Sequence, residues 1–454
     1  MKYSFRYLIF VLFLITLPTF LCAQPELMLS KTDRILILAP HPDDEVLGCG
    51  GVIQAAVRLQ IPVRLVFLTY GDNNEWSFFV YRKHPVLLPR AVRQMGLIRH
   101  DEAIQADSVL GIPANQITFL GYPDFRTLRI WLSHWNTRPV EESIFTRVTA
   151  VPYANAFRPG ALYKGDEILK DLISIFRQYK PTKIFVSHPA DFHPDHQALY
   201  LFTKIALWQL EKEIEPTLEP YLVHYKNWPL PRTYQPNQSL VMPLAFQREI
   251  AWQEERLQPN EIPRKLAALK KHHSQYESHP SLLISFVRNN EVFGDFPPLI
   301  LAPSSSPAII SKRDARTIEP PEQLTDTEQA SYIGVEERSA ELDAQHNLVL
   351  TIKLSRPVGR TVGVSVYVFG YRNDRAFTYM PKLHINFGLL RHRVFDQDTL
   401  LPADSVKIAR TPQEITMSIP LQLLGYPQRI LTSTQTYLTE VPLDWASWKT
   451  IEIK

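Results

Sequence analysis

The sequence predicts an α/β protein built on a doubly wound parallel sheet, followed by a smaller all-β sandwich. Three observations carry that expectation. Short aliphatic runs alternate with helix-length amphipathic stretches over residues 24–300, as in a sheet covered by helices on both faces. Two of those runs lead into the same triplet, His-Pro-Asp, at residues 41–43 and 193–195. Beyond residue 330 the runs become short, β-branched and aromatic, with no long helical pattern between them.

Taken in order, Ile35-Leu36-Ile37-Leu38 has no polar face and reads as a buried parallel strand. It runs into Pro40-His41-Pro42-Asp43-Asp44-Glu45, where Pro42 suits the first turn of a helix that continues through Val52, Ile53, Ala56 and Leu59. Residues 62–70 form a second strand. The aromatics after it, Trp76, Phe78, Phe79 and Tyr81, suit either packing or a sugar subsite. A helix over Val92 to Leu110, closed by Gly111, precedes a third strand at Ile117 to Leu120, which ends in Gly121-Tyr122-Pro123-Asp124. Residues 131–165 lack periodicity and read as an insertion over the site, with Tyr153 and Tyr163 as contacts. A helix over 167–179 leads into a strand ending at Ser187, then His188-Pro-Ala-Asp-Phe-His-Pro-Asp-His196, a helix over 194–213 and a fifth strand at 221–225. Two helical patterns fall within 245–275. Residues 301–330 are rich in Pro and Ser and read as a linker, and 331–454 as the sandwich.

Chemistry gathers where two strands hand over to helices, which is where open α/β sheets bind ligands. Catalytic zinc takes three protein ligands of the His, Asp or Glu type and keeps a position open. His41 and Asp44 in one turn and His196 in the other supply such a set if their strands lie side by side. Asp191 suits a second role, either orienting His193 or His196 or capping the helix that starts at Pro194. Glu45 reads equally as a helix-start carboxylate or as support for its neighbours. His188 reads as a hydrogen-bonded support. The sequence contains no GxSxG elbow, no GxGxxG and no P-loop.

The pair PHPDDE and HPDH, each after a strand, resembles the PIG-L/LmbE-like family of zinc-dependent de-N-acetylases. The resemblance spans about Asp33 to Phe296 and includes KLAALKKHHSQYE, a helix such chains carry late in the catalytic domain; Lys270 to His273 suit a solvated face equally well. It implies a Rossmann-like catalytic domain binding one Zn2+ through His41, Asp44 and His196. It further implies Asp43 as general base and His193 as the group that polarises the carbonyl and stabilises the oxyanion, as imidazolium or as a neutral N–H. Arg99, in IRHDEA, and Asp124, in GYPDF, match positions that grip substrate hydroxyls.

Residues 1–23 place Lys2 and Arg6 before an apolar run and a small residue at Ala23, the build of a cleaved signal peptide. Cys22 invites a lipoprotein reading, which Leu21 fits poorly. Removing this stretch lowers the formal charge from +3 to +1, so neither nucleic acid nor an anionic membrane is an expected partner. Only Cys49 would remain, so no intrachain disulfide is expected; it reads as a packing residue. The expectation is an exported hydrolase that removes acetyl from an N-acetylated amino sugar or glycoconjugate. The rivals are an amidase on a non-sugar acyl-amine and a non-catalytic carbohydrate-binding protein. The sandwich is open to three roles: contacting glycan, holding the first domain in place, or completing the fold.

Overall fold

In the computed structural model, which describes residues 24–73, 88–303, 306–313, 324–358, 361–388, 391–439 and 441–454, the aliphatic runs pair into one parallel sheet. The expected signal peptide and the aromatics at 76–81 lie outside the described residues. The strands are β1 (Ile35–Ala39), β2 (Val63–Thr69), β3 (Ile117–Tyr122), β4 (Lys183–Ser187) and β5 (Thr217–Tyr221), in the spatial order β3-β2-β1-β4-β5. All four pairings are parallel, and β1 is buried throughout, which is why it carries no polar residue.

The order reverses between β1 and β4. These two neighbours pair at Ile35↔Lys183, Leu36↔Ile184 and Ile37↔Phe185. The two His-Pro-Asp triplets therefore follow adjacent strands at the switch point, the crevice where such sheets bind ligands.

The helices connecting these strands are α1 (Asp44–Leu59), α2 (Pro89–Leu110), α3 (Thr127–Ser133), α4 (Gly165–Tyr179) and α5 (Pro194–Gln209). Helix α1 begins at Asp44, so Pro42 precedes the helix instead of opening it. The fifth strand lies four residues earlier than expected. It ends at Tyr221 because the N–H groups of Val223 and His224 donate to Asp191 Oδ2, at 3.1 and 2.8 Å, instead of to a neighbouring strand.

After β5 the chain builds β6 (Gln253–Arg256), α6 (Glu261–Leu269), α7 (His273–Tyr276), α8 (Pro280–Ile284) and β7 (Asn290–Phe293). The first helical pattern of the 245–275 stretch is thus a short strand, antiparallel to β7. The expected linker also departs from expectation. It supplies β9 (Ala308–Lys312), and β8 (Leu299–Leu301) lies at its edge. These strands join the two sheets of the C-terminal domain, which among the described residues have five strands and seven. At their centres Asn347–Leu354 lies between Val335–Leu342 and Glu414–Pro420, and Val362–Tyr371 between Lys382–Phe387 and Arg429–Leu438.

The two domains share an aromatic core. Trp131 of α3 lies 5.1 Å from Phe202 of α5, and 5.3 and 5.6 Å from Phe377 and Phe369 of the sandwich. Trp448 meets Trp131 edge-on at 6.2 Å. Lys382 of the sandwich, fully buried, places its Nζ 4.6 Å over the Trp135 ring and donates to the Phe377 and Met380 carbonyls at 2.7 and 3.0 Å. Trp208 of α5, the helix that begins within the second triplet, meets Tyr371 of the sandwich at 5.0 Å, so the sandwich packs directly against that helix as well. No helix among the described residues is long and apolar enough to cross a membrane.

Candidate active site

The carboxyl ends of β1, β3 and β4 open into a cavity of about 660 Å³ lined by His41, Asp43, Asp44, Arg99, Asp124 and His193, with an apolar wall of Phe125, Ile144, Phe145 and Leu282. Asp44 Oδ2 joins the two turns. It lies 3.2 Å from His41 Nδ1 and 3.1 Å from His196 Nε2. Asp191 Oδ2 sits 3.0 Å from His196 Nδ1, while its Oδ1 accepts from the His193 N–H at 2.9 Å. Asp191 thus braces His196 and the turn itself. The cap of α5 is the His193 side chain, not Asp191.

Protonation follows from these neighbours. Burial works against charge on His196, yet Asp191 and Asp44 lift it to about 9. Burial likewise opposes charge on His41, and Asp124 with Asp195 and Asp44 overcomes it. His193 is held well below the ordinary range, first by burial and then by the positive neighbours His41 and His196. Its Nδ1 accepts the Asp195 N–H at 3.2 Å, which leaves the ring proton on Nε2. These neighbours favour the neutral imidazole of His193 with its proton on Nε2.

Asp43 is the N-cap residue of α1, but its side chain caps nothing and lines the cavity instead. Its φ of 125° is rare for a residue with a Cβ. Burial raises its carboxyl to about 6, against the pull of Arg99.

Arg99 and Asp124 come to the same cavity with much of their polar capacity engaged. Arg99 donates to the Gly71 carbonyl at 2.8 Å and the Pro42 carbonyl at 2.7 Å, and its Nη2 is 3.6 Å from Asp43 Oδ1. Asp124 accepts the Asn73 N–H at Oδ2, 3.0 Å, and turns Oδ1 to within 3.0 Å of His41 Nε2. Tyr153 and Tyr163 are buried, and Tyr153 donates to Asp72, so the insertion meets the cavity through Ile144 and Phe145 instead. His188 is buried against Phe296 and Trp252, and its Nδ1 accepts the Ala190 N–H at 3.0 Å. Cys49 is buried within α1, and burial with Glu291 nearby pushes its thiol up, as suits packing and not nucleophilic attack.

The donor set fits a divalent cation. Four carboxylates, from Asp44, Asp124, Asp191 and Asp195, lie within 3.2 Å of two buried imidazoles. Among the described residues, neither nitrogen of His196 is oriented for a hydrogen bond, and Asp124 Oδ1 has no hydrogen-bond partner. Buried ligand atoms that lack a well-oriented hydrogen bond and crowd together amid excess negative charge suit an ion. Atoms of His41, His193 and His196 lie within 4.8 Å of one another, as do those of Asp191, His196 and His224.

Residues 36–207, which contain both turns, match the model of the PIG-L family, described as GlcNAc-PI de-N-acetylase. This segment is a PIG-L domain. A 1D-myo-inositol 2-acetamido-2-deoxy-α-D-glucopyranoside deacetylase of Mycobacterium sp. (strain KMS) is 27% identical over 193 residues, 41% of this chain and 55% of that protein. A probable N-acetyl-α-D-glucosaminyl L-malate deacetylase 2 of Bacillus subtilis (strain 168) is 28% identical over 189 residues, 40% of this chain and 65% of that protein. The chain thus spans 55% and 65% of the length of these two curated relatives. The N,N'-diacetylchitobiose deacetylase from Pyrococcus horikoshii is 21% identical, with a TM-score of 0.32, covering 54% of this chain and 70% of that one.

The structure adds residues that the sequence reading passed over, two of them beyond the PIG-L match. His224 lines the cavity and places Nδ1 3.3 Å from Asp191 Oδ1; nothing in its local sequence marks it. His272, in a lysine-rich stretch that suits a solvated face, is fully buried with Nε2 2.9 Å from Glu45 Oε1. Asp195 stands in the second triplet itself. Its carboxylate accepts the N–H groups of Phe125 and Thr127, at 2.6 and 3.0 Å, and lies 3.1 Å from His41 Nε2.

Proposed function

We propose that this protein is an exported, zinc-dependent de-N-acetylase acting on an N-acetylated amino sugar or its conjugate. The observation that carries the reading is the adjacency of β1 and β4. It brings His41, Asp44 and His196 together beside a strained carboxylate that has no capping task. The relatives named as deacetylases of GlcNAc-containing compounds support the bond type. Export rests on the sequence of residues 1–23 alone.

His41, Asp44 and His196 would hold the ion, with Asp191 fixing the His196 ring from behind. An ion held there supplies Lewis-acid activation of water and of the amide carbonyl. The chain's own residues do the rest. An Asp43 carboxylate oxygen accepts a proton from the attacking water as the new C–O bond forms. His193 Nε2–H donates to the oxygen on which negative charge develops. Asp43 then returns its proton to the nitrogen as the C–N bond breaks, releasing acetate and the free amine. A base with a pKa near 6 is suited to both transfers near neutral pH.

The test is acetate release by metal-loaded protein from N-acetylated sugars and chitooligosaccharides, set against a panel of non-sugar acyl-amines. Acetate from the sugars alone, lost with chelator, is the expected result. Release only from the second panel would assign a non-sugar amidase. Metal binding with no release from either would assign a binding protein.

A further inference from the structure

Asp43 sits in a strained backbone conformation for a residue with a Cβ, φ 125°, and such a conformation persists only where its surroundings hold it. One peptide unit shows what holds it. The Pro42 carbonyl accepts from Arg99 Nη2 at 2.7 Å, and the Asp43 N–H on the opposite edge of the same peptide plane donates to Glu45 Oε2 at 2.8 Å. The other oxygen of Glu45 lies 2.9 Å from His272 Nε2. Arg99 comes from α2, Glu45 from the first turn of α1, and His272 from the junction of α6 and α7. All three are buried. The remaining end of Arg99 is fixed by the Gly71 carbonyl at 2.8 Å. Residue 71 has φ +62°, and a Cβ there would lie 2.2 Å from Arg99 Nη1, so a glycine is what lets the guanidinium lie flat against the loop.

We propose that Glu45 and His272, opposed by Arg99, are positioning residues that clamp the Pro42–Asp43 peptide and thereby aim the Asp43 carboxylate. The inference rests on the reading of Asp43 as the base, and it extends the working site to residue 272, beyond the segment matched by the PIG-L model. Glu45 reaches back to the N–H of the cap residue two positions earlier, so its task is set by an acceptor atom and not by its charge. His272 holds that acceptor in place from the far side. Without the clamp the peptide rotates to relieve φ and the carboxylate moves. A displacement of about 1 Å at a reacting group costs roughly 100-fold in rate.

The test compares Glu45→Ala, Glu45→Gln and the double variant Glu45→Leu/His272→Leu with wild type. The double variant replaces both buried side chains with apolar groups, so neither is left in the core as an unpaired polar group, and its melting temperature is compared with wild type to establish that it folds. Metal content, kcat and KM on one N-acetylated amino sugar, and crystal structures of the metal-loaded proteins are measured. The expected result is unchanged metal content, KM within about threefold, and kcat lower by about 100-fold in Glu45→Ala and in the double variant. Glu45→Gln, whose amide oxygen still accepts the Asp43 N–H, should recover kcat to within about tenfold of wild type. In the crystals Asp43 should keep its positive φ in wild type and Glu45→Gln and relax in the other two. An Asp43 that stays in place in the double variant, or a Glu45→Gln as slow as Glu45→Ala, would overturn the proposal. Should wild type release no acetate, the base reading falls by itself, and the Asp43 φ in the variants still decides the clamp.

Discussion

The two His-Pro-Asp turns are the same triplet set in different frames. After β1, His41, Pro42 and Asp43 all precede the helix, and Asp43 is its cap residue with an unused carboxylate. After β4 the helix starts two residues earlier relative to the triplet. His193 is the cap, Pro194 opens the helix, and Asp195 falls inside its first turn. That shift changes each role. Asp43 faces the cavity at a φ of 125°, while Asp195 divides its carboxylate between the backbone of Phe125 and Thr127 and the ring of His41. His41 has both ring nitrogens among carboxylates, whereas His193 spends Nδ1 on its cap and keeps Nε2–H for the cavity. A motif names the residue types; the position of the helix start decides which of them is free to react.

Substitutions can break or sharpen this contrast. Around the second turn, the largest effect is expected at His193. His193→Ala should lower kcat by about 100- to 1000-fold, as for loss of one oxyanion donor. His193→Asn should lower kcat similarly yet keep the thermal midpoint of wild type, because asparagine caps helices well. Rate and melting measurements on both variants therefore separate the chemical from the capping task of this one ring. A smaller effect is expected at Asp191. Asp191→Asn should weaken metal affinity by about 10- to 100-fold, read by competition with a chelator, since His196 loses the carboxylate that orients it. The smallest effect on the rate is expected at Asp195. Asp195→Ala leaves the Phe125 and Thr127 N–H groups buried without an acceptor and should cost about 1–3 kcal/mol in denaturant unfolding. A loss of rate at Asp195 as great as that at Asp43 would erase the distinction between the two turns.

Much of this is legible in the sequence. Four aliphatic residues in a row before the first turn and Ile184-Phe185-Val186 before the second are enough to place both turns after buried strands, and the sheet order makes those strands neighbours. The helix frame was not legible. Pro42 suits the first turn of a helix by its fixed φ, yet the peptide clamped by Arg99 and Glu45 holds the chain outside the helix until Asp44. His272 lies in a stretch that reads equally as the family's late helix and as a solvated face because of Lys270 and Lys271; neither reading shows that one side of the same turn packs onto Glu45. His224 was invisible, since its place depends on Asp191 drawing the backbone of residues 223–224 away from the sheet. The stretch at 253–256 reads as helix by periodicity and is a strand because Asn290–Phe293 pairs with it, a long-range partner no local pattern reveals. The same holds at 308–312, where surrounding Pro and Ser hide a strand that pairs with Val335–Leu342.

The central claim is that Asp43, and not its counterpart Asp195, moves the proton in a metal-assembled site. The most direct measurement is acetate release per bound metal ion by wild type and Asp43→Asn, at equal and measured metal content. The account predicts full metal occupancy in both and a rate lower by about 100- to 10,000-fold in the variant. An Asp43→Asn protein that holds its metal and releases acetate at the wild-type rate would contradict it.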